Sequence, residues 1–358
     1  MNVKVVTGAN LGDEGKGMVA YSLAKEAISH NERVLSILYN GGVQRGHTAN
    51  GQVVHCTGTG DLAGGTTYYD EHFVVDPIAL WLTETKVYIH PMCRIVLPCD
   101  VIRNREKEIA RGLDKHGSCG MGIFECVKRN KHTRWKLCAV DLSDYFTLYG
   151  RIEEMRKTFA YDLNDDVYNT DNFMRAADYV VRNCPIVELH EIASDYDTLI
   201  FEGGQGLLLD QTNIGDFPHL TPSSVGSYNI HNAINNLSAE STDIFYVSRS
   251  YMTRHGVGPM DAECTREDIN PTIVDTTNIR NDWQGELRFG YINTDKLYRR
   301  IKGDFTRYNN ATLNMVFTQL NYTDGRIAIG KDTFEDIVVP SFVDGLYLSD
   351  QKDVINKA

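Results

Sequence analysis

Three residues in this chain have side chains that can move a proton or read a polar ring edge, and each sits among glycines: Asp13, His47 and Gln205. Asp13 and Glu14 lie inside a run with glycines at Gly8, Gly12, Gly15 and Gly17, and Lys16 stands between the last two. A β-branched stretch, Val3 to Val6, precedes the run, and Met18, Val19, Leu23 and Ala24 follow on one helical face. Strand, glycine-rich loop and helix form an anion-holding layout, because backbone N–H groups at a helix start converge and glycine lets a phosphate approach. The spacing departs from the P-loop pattern, since Asn10 stands five residues before Gly15 and Gly17 replaces Ser or Thr. Two carboxylates in a phosphate cradle are misplaced unless one has another task. An ordinary tight turn before a helix, with Asp13 as a first-turn acid, is the alternative that the residues alone leave open.

His47 lies between Gly46 and Thr48, where a ring meets little crowding and imidazole is suited to passing a proton near neutral pH. One histidine of 11 in an exposed loop is the plainer reading. Gln205, in Gly203-Gly-Gln-Gly206, is well placed to read an amide-like edge. Gly117-Ser-Cys-Gly-Met-Gly122 offers a second anion nest, and Arg129, Lys131, His132, Arg134 and Lys136 offer either a phosphate clamp or a solvated basic face. His55 and Cys56 are neighbours on an expected strand, face opposite sides, and make a poor metal pair.

The elements that must position these residues alternate. Strands are expected at Val3–Val6, Arg33–Tyr39, Thr67–Val75, Lys86–Ile89, Thr198–Glu202, Asp243–Val247 and Leu313–Thr318, with helices over 18–30 and Leu97–Leu113. Ser143 to Cys184 reads as a polar helical cap. The fold class is therefore α/β: an open, mainly parallel, P-loop-NTPase-like sheet flanked by helices, with peripheral helical insertions and one domain over residues 1–358. In such a sheet the loops after the first, second, fifth and last of these strands that carry candidate residues share the carboxyl edge, where ligands collect.

Bulk properties narrow the function. A net charge of −12 argues against a nucleic-acid-coating surface or an anionic membrane partner. No apolar run approaches the roughly 20 residues of a membrane span, and the chain opens on a strand, so a cytoplasmic location is expected (the host cytoplasm for a phage protein). Eight scattered cysteines without a CxxC pair fit reduced thiols.

Taken together, Gly12-Asp-Glu-Gly-Lys-Gly17, Gly46-His-Thr48, Phe201-Glu-Gly-Gly-Gln-Gly-Leu-Leu-Leu-Asp210 and Thr253-Arg-His-Gly-Val-Gly-Pro259 resemble adenylosuccinate synthetase, a family joining aspartate to a 6-oxopurine nucleotide. The resemblance covers roughly residues 1–325, and the family's chain is longer. It implies that Asp13 is catalytic base and magnesium ligand, His47 the general acid and Gln205 the reader of the base. The Gly46 carbonyl would be a second ligand of Mg²⁺, while Gly12, Glu14, Gly15, Lys16, Gly17, Thr48, Gln319 and Asn321 would bind the donor nucleotide. Gln44, Ser118, Cys119, Thr221 and Arg134 would hold the 5′-phosphate, with Arg134 reaching across a homodimer. Gln284, Gly285 and Arg288 would meet the aspartate.

Departures from the family pattern carry the substrate expectation. Thr318-Gln-Leu-Asn321 replaces Thr-Lys-Leu-Asp, so the carboxylate that matches the two-donor edge of guanine is gone and ATP or dATP is expected in place of GTP. In Trp283-Gln-Gly-Glu-Leu-Arg-Phe-Gly-Tyr291 one residue is missing and Glu286 replaces an arginine that contacts the ribose 2′-hydroxyl and the aspartate. Gln44-Arg45 replaces Asn-Ala. These changes resemble the bacteriophage branch, whose members join aspartate to dGMP on the route to 2-aminoadenine DNA. Retention of Asp13 leaves an enzyme acting on IMP with GTP or ATP as the alternative, and a non-catalytic nucleotide switch as one of another class.

Overall fold

The computed structural model describes residues 1–112, 116–159, 161, 165–275, 285–350 and 353–358. Its centre is a nine-stranded sheet. In chain order its strands are β1 (Asn2–Gly8), β2 (Val34–Leu38), β3 (Thr66–Tyr69), β4 (Tyr88–Ile89), β5 (Thr198–Gly206), β6 (Ser241–Arg249), β7 (Thr312–Thr318), β8 (Gly345–Leu348) and β9 (Asn356–Lys357). Across the sheet they run β9-β8-β7-β6-β1-β5-β2-β3-β4. Every neighbouring pair is parallel except β8 with β9, so the expected open α/β sheet is present.

Alternation within the central strands explains the layering. Val3, Val5, Leu199, Phe201, Ile244 and Tyr246 point to one face, where they pack with Leu297 and Ile301. Val6, Ile200, Phe245 and Val247 point to the other and pack with Val19, Leu23 and Ala24. Helix α1 (Lys16–Ser29) covers this second face, and the helix Thr294–Phe305 covers the first. Strands buried on both sides read as near-continuous apolar runs, which is why β1, β5, β6 and β7 are legible in sequence. Each fully buried aliphatic or aromatic side chain here contributes roughly 1.5–3 kcal/mol.

The peripheral helices α2 (Pro98–Arg111), α3 (Ile123–Asn130), α4 (Tyr145–Phe159) and α5 (Thr170–Asn183) enclose a separate core containing Phe73, Cys126, Leu148, Ile152 and Phe173. The expected helix over Leu97–Leu113 ends at Arg111 among the described residues, and Leu113 lies outside them. The polar helical cap expected over Ser143 to Cys184 consists, among the described residues, of α4 and α5.

Three expectations about strands and loops need correction. Thr67–Val75 is not one strand: Phe73 N–H donates to the Asp70 carbonyl in a turn, and Val74–Val75 then pairs with Arg94–Ile95 outside the main sheet. Gly203–Gly206 is not a loop but the end of β5, and a register shift between Val6 and Gly8 lets Gly206 pair beside Gly8. Asn10 is a reason that Gly206 is glycine, since a Cβ there would lie 2.3 Å from the Asn10 carbonyl oxygen. His55 and Cys56 follow the short strand Gln52–Val54 and are not part of it.

Candidate active site

The loops after β1, β2, β5, β6 and β7 meet at the carboxyl edge of the sheet. In the first, Gly15 caps α1 with φ 95° and Asp13 has φ 59°, a left-handed conformation that costs a non-glycine residue free energy. Contacts on both sides hold it there. Arg249 Nε donates to the Asp13 carbonyl at 2.5 Å, and Arg249 Nη2 reaches Asp275 at 3.0 Å. His255 Nε2 lies 3.4 Å from Asp13 Oδ2, with both side chains partly accessible.

Glu14 turns inward. Its Oε1 accepts from Asn10 N at 3.0 Å and Gly12 N at 2.9 Å, and its Oε2 accepts from Lys16 Nζ at 2.6 Å. Burial alone would raise this carboxyl, but the Lys16 charge and hydrogen bond, with the Gly12 N–H, hold it below the usual carboxylate range. Glu14 therefore shapes the loop from within, and the Gly12 N–H is already used. The start of α1 at Gly15, Lys16 and Gly17 has the geometry of a helix N-terminus that can receive an anion. Arg300 fastens the loop from the opposite face, donating to the Ala9 carbonyl at 2.7 Å and Asn10 Oδ1 at 2.6 Å. The odd Asn10 of the sequence is thus a structural tie.

His47 opens a short hairpin, His47–Ala49 with Gln52–Val54, that packs onto α1. A Cβ on Gly17 would sit 2.7 Å from His47 Cβ and 3.0 Å from Thr59 Cγ2, so only glycine allows the two loops to close together. Beneath the ring lies Glu202, fully buried, whose Oε1 is 2.5 Å from His47 Nδ1 and 2.6 Å from Arg45 Nη2. Glu202 Oε2 accepts from Thr59 N at 2.8 Å. Burial opposes its charge, yet Arg45 and His47 pull its pKa down to about 2. Burial and the Arg45 charge lower His47 to about 4, against the opposing pull of Glu202. The ring is therefore neutral at neutral pH, its Nδ1 proton directed at Glu202, and Nε2 is the nitrogen left for a ligand.

The end of β5 and the loop after β7 join the same edge. Asn40 accepts from Gly204 N at 2.7 Å and donates to the Val225 carbonyl at 2.9 Å, tying the Gln205 strand end to the segment after Thr221. Gln44 and Gln205 both approach Gly41: from a Cβ built there, their Nε2 atoms would be 3.3 Å and 4.0 Å away. Thr318 Oγ1 donates to the Glu14 carbonyl at 2.7 Å, and its methyl would lie 3.3 Å from a Cβ on Gly15, so the loop bearing Gln319 and Asn321 stacks on the glycine loop. Gln319 adopts φ 60° and Asn321 is exposed. Thr48, next to His47, is half-buried.

A third convergence involves the 116–122, 207–226 and 253–259 loops. A Cβ on Gly117 would be 3.2 Å from Gly256 Cα, the His116 and His219 rings are 5.7 Å apart, and Arg254 Nη2 donates to the His219 carbonyl at 3.0 Å. Ser118, Cys119 and the buried Thr221 are on these loops. The expected nest holds an internal anion: Glu108 Oε2 accepts from Gly117 N at 3.0 Å and Ser118 N at 3.4 Å. Burial lifts the Cys119 thiol to about 11, so it is protonated at neutral pH.

Other expected residues are not brought in. Arg134 is exposed, pairs with Glu154 of its own chain and lies over the Trp135 ring at 4.7 Å. Arg288 is committed to Glu263, 2.7 Å from Nε to Oε1, and to the carbonyls of Gly256 and Gly258 at 3.0 Å and 2.8 Å. Gly285 has φ 78°, and Gln284 lies outside the described residues.

For a metal, Asp13 and the exposed Gly46 carbonyl supply hard oxygens, and among the described residues no group of three or more His, Cys, Asp or Glu could hold an ion alone. That donor set fits a cation bound largely through nucleotide phosphates and water, as Mg²⁺ is. No helix among the described residues is long and apolar enough to cross a membrane. Residues that sequence reasoning passed over are Glu202, Arg249, His255 and Asn40. Glu202 and His255 did carry a signal, since they stand within the Phe201–Asp210 and Thr253–Pro259 motifs.

A family model described as adenylosuccinate synthetase matches residues 5–281. The enzyme of that name from Clostridium perfringens is 25% identical over 295 residues, 75% of this chain and 67% of the relative. That from Buchnera aphidicola is 28% identical over 291 residues, 72% of this chain and 65% of the relative. That from Hydrogenobaculum is 25% identical over 363 residues, 94% and 84% of the two chains. Among solved structures, fully ligated adenylosuccinate synthetase from Plasmodium falciparum aligns with TM-score 0.69 and 18% identity over 90% of this chain and 77% of its own. Cyanophage S-2L succinoaminodeoxyadenylate synthetase, bound to dGMP and dATP, aligns with TM-score 0.59 and 17% identity over 90% and 85%.

Proposed function

The chain belongs to the adenylosuccinate synthetase family of C–N bond-forming ligases, and we propose that it joins L-aspartate to the 6-position of dGMP with ATP or dATP as phosphoryl donor. The product is N6-succino-2-amino-2′-deoxyadenylate. The observation that carries the choice of donor is the loop after β7. Thr318 ties this loop to the Glu14 carbonyl and so to the glycine loop, which supports a reading in which the neutral amide of Asn321 meets the donor base. Guanine's two-donor edge finds no carboxylate. For the acceptor, Glu286 in place of an arginine favours a sugar without a 2′-hydroxyl. The cyanophage enzyme with the same fold was solved with dGMP and dATP, which supports the same pairing.

The residues then divide the work. Asp13, held by Arg249 and beside His255, takes the proton from purine N1 as the 6-oxygen attacks the γ-phosphate. The start of α1 receives the triphosphate, and Mg²⁺, when bound at Asp13 and Gly46, offsets phosphate charge. His47 waits neutral on Glu202. The arriving polyanion favours its protonated form, which can then donate from Nε2 to the phosphorylated oxygen. Gln205 reads the base edge. The aspartate amine displaces phosphate, and the purine 6-oxygen leaves with it. Arg134 completes the 5′-phosphate site from the second subunit of a homodimer.

Turnover of dGMP carrying heavy oxygen at the 6-position tests this directly. The label should appear in the released phosphate. Unlabelled phosphate, or no product, would overturn the reading.

A further inference from the structure

The Arg45 side chain has no solvent exposure, and its Nε and Nη1 have no hydrogen-bond partner. Burying a guanidinium with unpaired donors costs free energy, and packing alone would be better served by an apolar chain of that length. The site therefore asks what the charge does.

Glu202 supplies the answer. Its Oε1 accepts from Arg45 Nη2 at 2.6 Å and contacts His47 Nδ1 at 2.5 Å, while Oε2 accepts from Thr59 N at 2.8 Å and Thr59 Oγ1 at 3.2 Å. Arg45 Nη2 is also 3.0 Å from His47 Nδ1, so it bounds the ring on a second side. Without Arg45, Oε1 would keep His47 Nδ1 as its single partner, and the carboxylate would be anchored mainly on its Oε2 side, by Thr59.

We propose that Arg45 is a positioning residue: it clamps Glu202 so that one carboxylate oxygen fixes His47 Nδ1 and presents Nε2 to the reacting nucleotide. The assignment rests on the ligase reading for its consequence in turnover, and on the Arg45–Glu202–His47 geometry for the clamp itself. It also gives a role to the Gln44-Arg45 pair that stood out in the sequence.

Arg45→Met and Arg45→Lys test it, with dGMP varied at saturating ATP and aspartate. Arg45→Met should lower kcat on the order of 10²-fold, as a misplaced catalytic group does, with KM for dGMP unchanged. Arg45→Lys should recover most of that loss, because an ammonium can still bind Glu202. Nitrogen NMR of ring-labelled histidine in the ligand-free protein near neutral pH gives a readout that needs no turnover. The parent should carry its His47 proton on Nδ1, and Arg45→Met should show mixed tautomers. An unchanged tautomer in folded Arg45→Met, or a fall in rate no larger than the loss of folded protein, would overturn the role. A parent inactive on every purine nucleotide would sink the ligase reading, while the NMR comparison still decides the clamp.

Discussion

At the scale of single residues, the site is built from charges that satisfy each other until a ligand arrives. Glu14 holds Lys16, Glu202 holds Arg45 and His47, and Asp13 alone of these carboxylates keeps an accessible side chain beside His255. His47→Asn should cut kcat by about 10²–10⁴-fold while nucleotide binding, read by calorimetry, stays close to the parent's. A small loss of rate would place the general acid elsewhere. Asp61 makes a separate prediction about stability. Burial raises its carboxyl from 3.8 to about 7, against the hydrogen bond from Thr67. The folded state thus binds this proton more tightly than the unfolded state, so the stabilisation is complete below 3.8 and is lost as pH rises through about 7. Asp61→Asn should flatten that slope, giving higher stability than the parent in alkaline buffer. Urea unfolding at several pH values reads it, and parallel slopes in the two proteins would refute it.

At the scale of elements, the loops that carry chemistry are set by what lies beneath them. The β7 loop sits on Gly15 through Thr318, so a change at Asn321 should act on the donor base without moving the triphosphate. Asn321→Asp should shift donor preference from ATP toward GTP by roughly 1.5–3 kcal/mol, the range for a hydrogen bond to a charged group. Initial rates with each donor measure it, and an unchanged ratio would show that the base is read elsewhere. These loops were legible in sequence because glycines punctuate apolar strands, and the strands were legible because both faces of the sheet are covered. The Gly203–Gly206 strand end was not. Its pairing depends on the Asn10 turn of a strand far away in the chain, and glycine content alone reads as loop. Arg249 and Asn40 were hidden for a related reason: their roles are hydrogen bonds to residues distant in sequence.

At the scale of the whole molecule, the parallel sheet brings five loops to one edge, while α2 to α5 build a second core beside it. The resemblance in sequence implied roles that no spacing rule could, and the fold puts the Asp13 and Asn321 loops, the His47 hairpin and the Gln205 strand end at that one edge. Arg134 is different, since in its own chain it pairs with Glu154. If a second subunit receives it, Arg134→Leu should raise KM for the nucleotide with little change in fold. Sedimentation of an active monomer would contradict that shared site.

The identity of the acceptor is decided by parallel assays with Mg-ATP, aspartate and either dGMP or IMP. Phosphate release and a succino-product should appear with dGMP at a far higher kcat/KM than with IMP. Release with IMP and none with dGMP would overturn the dGMP assignment.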